Sequence, residues 1–222
     1  MLLLYSKIFF LRELVIKKCD MRNAPKIVIR FIRVTFWREV HNFYAFIPAH
    51  DFHWFKKVNG RVHIAMIDCT GHGVPGALMS IIGNDILHNI LEDDPTILPG
   101  DILSRLHTGI IEALKGEEDT RRVNAGMEMG ICTIDKNAGS LTFAGANLPL
   151  FMVKNGSMEE VSPVNNAIGY SAFFRRIRKN LAFENNEIKL EGEAAYYMVT
   201  DGFVDQFGTK DKEKYGKKRL ME

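Results

Sequence analysis

The sequence has little cysteine and no long uncharged apolar run. Its three cysteines, Cys19, Cys69 and Cys132, are widely separated, with no C-x-x-C spacing and no histidine pair at zinc spacing, which argues against a disulfide framework or a zinc site and favours a reducing compartment. The apolar opening is interrupted by Lys7 and Arg12, so no run reaches the roughly 20 uncharged residues that a bilayer crossing requires. We therefore expect a cytoplasmic protein without a membrane span.

A strong charge of either sign is also absent. Lys and Arg total 29 against 27 for Asp and Glu, and a formal net charge of +2 offers little attraction for nucleic acid or anionic lipid. We see no internal repeat and no low-complexity linker. The 222 residues, 46% of them hydrophobic, suffice for one sizeable core. We expect no nucleic-acid partner, and any other partner has to be inferred from particular sites.

The first segment with a clear secondary-structure pattern begins at Asp51. The segments 51–58 and 61–68 predict two strands, and Asn59 followed by Gly60 is a strong signal for a two-residue hairpin turn. Such a hairpin brings Asp51 and Asp68 to the same end. Residues 1–45 show neither clean alternation nor a helical stripe, and we leave this segment unassigned.

Two helices and a series of strands are predicted downstream. The first helix, within 76–91, is expected to be mostly buried, and the second covers 101–116. Their predicted apolar faces are Leu78, Ile82, Ile86 and Ile90 in the first helix, and Leu103, Leu106, Ile110 and Leu114 in the second. Beyond them, short runs separated by Asn and Gly predict an antiparallel meander over 127–161, with further strands near 186–190 and 194–200.

The stretch GHGVPG, residues 71–76, matches the spacing of a dinucleotide-binding loop. That interpretation requires a parallel strand ending in an acidic residue about 20 positions later, and a second helix is predicted there instead. It would also place the carboxylate of Asp68 at the mouth of an anion site. A nucleotide-binding oxidoreductase is therefore supported by the glycine spacing alone.

Three aspartates offer a different interpretation. Asp68 and Asp201 each end an apolar run, and Asp51 opens the strand paired with the first, so all three are expected on one sheet edge. Carboxylates gathered in this way repel one another unless a cation neutralises them, and oxygen donors suit Mg²⁺ or Mn²⁺. The competing explanation is that aspartate is a common turn former.

Longer stretches carry a resemblance to a known family. DCTGHGVPGALMSIIGNDIL and VTDGFVDQFG resemble the signatures of the bacterial stage II sporulation protein E-type phosphatases, a branch of the metal-dependent PPM (protein phosphatase 2C-like) serine/threonine phosphatases. DFHWFKKVNG, FAGANLPLFMVKNG and AIGYS are also similar to that family and occur in its order. The resemblance runs from about residue 48 to the end, so we expect a phosphatase domain over 46–222.

The resemblance implies a fold and a site. The fold is an α+β, four-layer α-β-β-α sandwich of two antiparallel sheets flanked by helices, and the site holds two Mn²⁺ or Mg²⁺ ions. Asp68 resembles the bridging ligand, with the carbonyl of Cys69 beside it, and Asp51 and Asp201 match the aspartates of the family's GDF and TDG stretches. Asp51, Asp68 and Asp201 are therefore the expected catalytic groups, and the same three residues together with Cys69 are the expected metal ligands.

The sequence departs from the family pattern at three places. His50 stands where the family has glycine, and Glu128 stands where it usually has aspartate, which weakens any metal contact expected there. The resemblance also stops before the family's last strand and its final metal-binding aspartate. One core strand and one ligand are therefore expected to be missing.

The implied function is hydrolysis of phosphoserine or phosphothreonine by a metal-activated water. The substrate implied by the resemblance is a phosphorylated bacterial regulatory protein, such as an anti-sigma factor antagonist. The departures keep open an alternative, a degenerate and non-catalytic phosphatase-like module that binds its partner without turnover.

Overall fold

The chain forms two β-sheets in the part that the structure describes. The computed structural model describes residues 8–16, 27–35, 51–71, 74–114, 126–169, 181–205, 214 and 216–221. Sheet A has the strand order β1 (Ile8–Ile16), β2 (Ile27–Thr35), β11 (Ala194–Val199), β7 (Leu150–Lys154) and β8 (Ser157–Val161). Sheet B has the order β10 (Asn186–Lys189), β6 (Ser140–Ala146), β5 (Gly126–Asp135), β4 (Arg61–Cys69) and β3 (Asp51–Val58), and the short β9 (Ile168–Gly169) pairs with β5.

The two sheets stack face to face over a shared apolar core. Alternate residues of β4, β5 and β6 meet residues of β7 and β11 there, as the period of two in a strand requires. The buried members of this inter-sheet core are Val62, Ile64, Met66, Cys132, Ile134, Leu141, Phe143, Leu148, Leu150, Tyr196 and Met198.

Helices cover the other face of sheet B. Helix α1 (Val74–Asp93) and helix α2 (Pro99–Ala113) pack on each other and on that face, where the remaining alternate residues of the strands form a second core. Leu103, Leu106 and Ile110 are fully buried, so the predicted face of the second helix is confirmed. Two short helices follow β11, α3 (Asp201–Val204) and α4 (Gly216–Met221), and α3 contacts β2 and β11.

The predicted hairpin between β3 and β4 is confirmed. Asn59 and Gly60 both have positive φ, 47° and 79°, the backbone that a tight two-residue turn between twisted strands requires. The strands pair antiparallel, with Asp51 opposite Asp68.

Two other predictions about the sheets need correction. The runs over 127–161 are not one meander, because β5 and β6 lie in sheet B whereas β7 and β8 lie in sheet A. Two strands also come from the segment that the sequence left unassigned: β1 and β2 pair antiparallel, and β2 runs parallel to β11. Sheet A is therefore antiparallel except at this one pair, and the place beside β11 is taken by β2.

The predicted buried face of α1 is wrong in its first half. Leu78 is 53% exposed and Ile82 is only half-buried, whereas the buried positions are Gly76, Met79, Gly83, Leu87, Ile90 and Leu91. This helix is apolar on most sides, so apolar spacing alone does not select the packed face. Gly83 lies close to β5 on this face, since a Cβ there would be 2.8 Å from the terminal methyl of the flexible Met127 side chain.

The topology also excludes the dinucleotide-binding interpretation of GHGVPG. The strand before this loop, β4, is antiparallel to both of its neighbours, β3 and β5, whereas a dinucleotide site needs a parallel β-α-β unit. Among the described helices, none combines the length and the apolarity that a bilayer crossing requires.

Candidate active site

Four polar side chains form a row across one end of sheet B. Asp51 of β3 lies opposite Asp68 of β4, and Asp68 lies opposite Glu128 of β5. Asn147 continues the row, because Ala146 of β6 pairs with Met129. Directly paired residues project from the same face of a sheet, so the register places three carboxylates and one amide side by side. We call these four residues the carboxylate row.

The carboxylate row lies at the end of the inter-sheet core. Along β4, Asp68 follows Val62, Ile64 and Met66 at intervals of two, and all three are buried between the sheets. Asp68 therefore points to the same side, toward sheet A, and is partly buried. Polar groups that are partly buried at the end of an apolar face are costly unless they are hydrogen-bonded, and carboxylates there also need a counter-charge.

The third predicted aspartate arrives from the other sheet. Thr200 and Asp201 follow β11 of sheet A, and Asp201 is the exposed first residue of α3. The Thr200 hydroxyl donates a 2.8 Å hydrogen bond to Asp51 Oδ2, which ties the two sheets together at the site. The expectation of one sheet edge is therefore corrected: the aspartates face each other across the sandwich, because β11 pairs with β7 and β2 rather than with β4.

Asp68 is the electrostatic centre of the group. Burial raises its pKa to about 9, with further contributions from the charge and the hydrogen bond of Asp51 and from the charges of Asp201 and Glu128. The largest cause is desolvation, followed by repulsion by Asp51, the hydrogen bond with Asp51, and repulsion by Asp201 and Glu128. Such a cluster favours a proton or a cation at Asp68.

The thiol of Cys69 is poorly suited to bind a metal ion. The thiol is buried and accepts a 3.5 Å hydrogen bond from Ser80 Oγ. Burial raises the pKa of this thiol to about 11, so it stays protonated near neutral pH and is a poor ligand for a hard cation. A metal contact through the carbonyl of Cys69 remains a prediction.

The start of the loop after β4 is held by hydrogen bonds between Thr70 and Gly126. The hydroxyl of Thr70 donates to the carbonyl of Gly126 at 2.9 Å, and the amide of Gly126 donates to that hydroxyl at 2.8 Å. Gly71 has φ +95°, a conformation that other residues rarely adopt, and α1 begins at Val74. His50, the predicted departure before Asp51, lies outside the described residues.

Glu128 belongs to the group more closely than the sequence suggested. It pairs with Asp68 and contributes to the raised pKa of that residue, and Asn147 Nδ2 donates a 3.0 Å hydrogen bond to its Oε1. Asp205, another acidic residue near the site in sequence, is exposed and forms a 2.8 Å ion pair with Lys214. The register between β4 and β5 was not predicted from the sequence. That register sets Glu128 opposite Asp68 and would have identified it as a member of the site.

The chemistry of this donor set fits a divalent cation. Carboxylate and carbonyl oxygens are the donors that Mg²⁺ and Mn²⁺ prefer, and a cation would relieve the repulsion that raises the pKa of Asp68. Within the described ranges, no group of three or more His, Cys, Asp or Glu side chains is drawn together as a finished metal site. The residues therefore match the ion in type, and we treat metal binding as a proposal.

The fold and site together define a class of protein. The chain is similar to the SiaA-PP2C domain of Pseudomonas aeruginosa, with 26% identity and a TM-score of 0.66 over 78% of this chain and 64% of that one. The predicted PPM-type fold is therefore confirmed. The family model for stage II sporulation protein E (SpoIIE) matches residues 58–222, and the chain belongs to this family.

Other solved structures share the fold at lower identity. The RsbU and RsbW domains of Rv1364c from Mycobacterium tuberculosis match at 16% identity and a TM-score of 0.56, over 76% of this chain and 43% of that one. RsbX in complex with magnesium matches at 14% identity and a TM-score of 0.52, over 80% and 79%. This chain thus spans under two thirds of the first two structures. A comparison with curated protein sequences gave no match.

Proposed function

We propose that this chain is a metal-dependent protein phosphatase that hydrolyses phosphoserine or phosphothreonine. The observation that carries the proposal is the set of mutually repelling carboxylates at the end of the inter-sheet core, in a chain of the SpoIIE family. Four acidic residues that share a partly buried site need a counter-charge. A divalent cation supplies it and can also activate a water molecule for hydrolysis.

The proposed role of each residue follows from its position in the site. Asp68 lies between Asp51 and Glu128 in the row, which supports the role proposed for it, a ligand that would contact both ions. Asp51 and Asp201 would each serve mainly one ion, and the carbonyl of Cys69 would be a further donor. When bound, Mn²⁺ or Mg²⁺ ions lower the pKa of a water nucleophile and stabilise charge on the phosphoryl group. Thr200 holds Asp51 in place through its hydrogen bond.

The substrate we propose is a phosphorylated bacterial regulatory protein, such as an anti-sigma factor antagonist. The site lies at one end of the sandwich, with Asp201 exposed, which suits a phosphorylated side chain presented by another protein better than a small molecule enclosed in a cavity. Family membership supports the same substrate class.

Hydrolysis of p-nitrophenyl phosphate tests the proposal. Turnover is expected only with added Mn²⁺ or Mg²⁺ and should stop with EDTA. Asp68→Asn should lower kcat/KM by about 100-fold or more, because it removes charge from the central position. Asp205→Asn is the matched control, since that aspartate is exposed and paired with Lys214. Turnover that persists in EDTA, or equal effects of the two variants, would contradict the mechanism.

A second candidate function is a non-catalytic module that binds a phosphoprotein. It is favoured by the lack, within the described ranges, of three or more metal-type side chains drawn together as a finished site. Calorimetry separates the two candidates. Binding of a phosphorylated partner without measurable Mn²⁺ or Mg²⁺ binding and without turnover would favour the module.

A further inference from the structure

We infer that Asn147 is a positioning residue that holds the carboxylate of Glu128 in the carboxylate row, next to Asp68. This inference rests on the proposed metal-dependent function. Asn147 directly follows β6, one position beyond Ala146, which pairs with Met129 of β5. The next pair in the row is therefore Asn147 and Glu128, and the 3.0 Å bond from Nδ2 to Oε1 joins them.

The chemistry of this contact orients a charge without cancelling it. The amide of Asn147 is a neutral donor, so Glu128 keeps its full negative charge for a cation, whereas Lys or Arg in the same place would neutralise it. The bond engages one of the two carboxylate oxygens. A glutamate has more rotatable bonds than an aspartate, and immobilising the longer side chain costs conformational entropy that a fixed donor offsets.

The backbone of Asn147 is held independently of its side chain. Its φ is +59°, in the left-handed region that Asn tolerates better than most residues. Its amide N–H donates to the carbonyl of Val164 at 3.0 Å, and the amide of Val164 donates to the carbonyl of Gly145 at 2.9 Å. Glycine would satisfy this backbone, so the turn alone does not require an amide side chain.

A second observation argues against a purely structural role. Asn147 Oδ1 is buried and meets no hydrogen-bond donor in the part of the chain that the structure describes. A buried acceptor without a partner lowers stability. The side chain is therefore arranged for its bond to Glu128 and not to maximise the stability of the turn.

The chain supplies a matched control for the test. Asn155 has φ +53° in the turn between β7 and β8, and it is exposed. Asn155→Gly and Asn147→Gly both replace a left-handed Asn by the residue best suited to that backbone, but only the second removes the donor to Glu128. Both variants should melt close to the wild type.

The experiment measures Mn²⁺ binding by titration calorimetry and by the Mn²⁺-dependent rise in melting temperature. Asn147→Gly should raise the Mn²⁺ concentration for half-saturation by about tenfold, the usual scale for a partner of a metal ligand, and Asn155→Gly should not change it. Glu128→Gln should weaken binding at least as much. Adding Asn147→Gly to Glu128→Gln should have no further effect, because the group being positioned has lost its charge.

Each other outcome is decisive. Unchanged Mn²⁺ binding in Asn147→Gly, or in Glu128→Gln, would overturn the inference, and the second variant keeps the test valid if the first fails to fold. If Asn147→Gly lowers the Mn²⁺ affinity by the same factor in the wild type and in Glu128→Gln, Asn147 does not act through Glu128, and the inference is overturned. If the wild type binds Mn²⁺ but shows no phosphatase turnover, and Asn147→Gly weakens that binding, the proposed function would be overturned and the inference retained. A wild type that binds neither Mn²⁺ nor Mg²⁺ would overturn both.

Discussion

One buried histidine should make a destabilising contribution to the folded protein in mild acid. His63 of β4 is fully buried, and its Nδ1 lies 2.9 Å from Thr133 Oγ1 on the neighbouring strand. Its Nε2 is buried without a hydrogen-bond partner in the described ranges. Burial, assisted by the nearby positive charge of Arg61, lowers the pKa of His63 from 6.5 to about 4.

The sign and size follow from proton linkage. Above pH 6.5 the imidazole is neutral in both states, so His63 contributes no pH dependence. Between pH 6.5 and 4, His63 is protonated in the unfolded chain but stays neutral in the folded chain, so stability falls as the pH falls. From pH 7.5 to pH 5.0 the lowered pKa corresponds to a loss of about 2 kcal/mol in the free energy of unfolding.

Urea unfolding followed by circular dichroism, with EDTA present, measures this loss. His63→Gln removes the titrating group, so the wild type should lose about 2 kcal/mol more than the variant between pH 7.5 and pH 5.0. Asp68 has the opposite sign, because its raised pKa favours the folded state as the pH falls, but it is common to both proteins and cancels in the difference. Parallel losses in the two proteins would refute the assignment to His63.

Three further predictions concern packing, thiol reactivity and charge. Gly145→Ala should lower stability by roughly 1–3 kcal/mol, because its Cβ would lie 2.4 Å from the carbonyl oxygen of Leu148, and urea unfolding would show this loss. Cys69 and Cys132 are buried with raised pKa values, so iodoacetamide should modify them only after unfolding, as mass spectrometry can establish. Burial and the neighbouring carboxylates raise the pKa of Asp68 to about 9, so near neutral pH this carboxyl has to take up a proton on folding, a cost that Asn avoids. In EDTA, Asp68→Asn should therefore melt no lower than the wild type, and scanning calorimetry tests this. A clear drop in its melting temperature would mean that Asp68 has a structural role.

Local signals were sufficient for several elements. Asn59 and Gly60 predicted the hairpin because a two-residue turn needs positive φ at both positions, and the structure has it there. The second helix was predicted with its buried face, because its apolar residues occupy one side only. In α1 the same argument failed. That helix is apolar on most sides, so the spacing of its apolar residues does not identify the face on which Gly83 packs against Met127.

The sequence by itself determined which residue types are available for the site: aspartates at the ends of strands, and long family-like stretches around them. Which of them meet was decided by the tertiary structure. Asp201 comes near Asp68, and Thr200 bonds to Asp51, because β11 belongs to the opposite sheet, which stacks on that of β3 and β4. Glu128 and Asn147 join the row only through the register of β4, β5 and β6, which spans nearly 80 residues of chain. Pairing over that distance depends on packing of the whole sheet, and no local pattern encodes it.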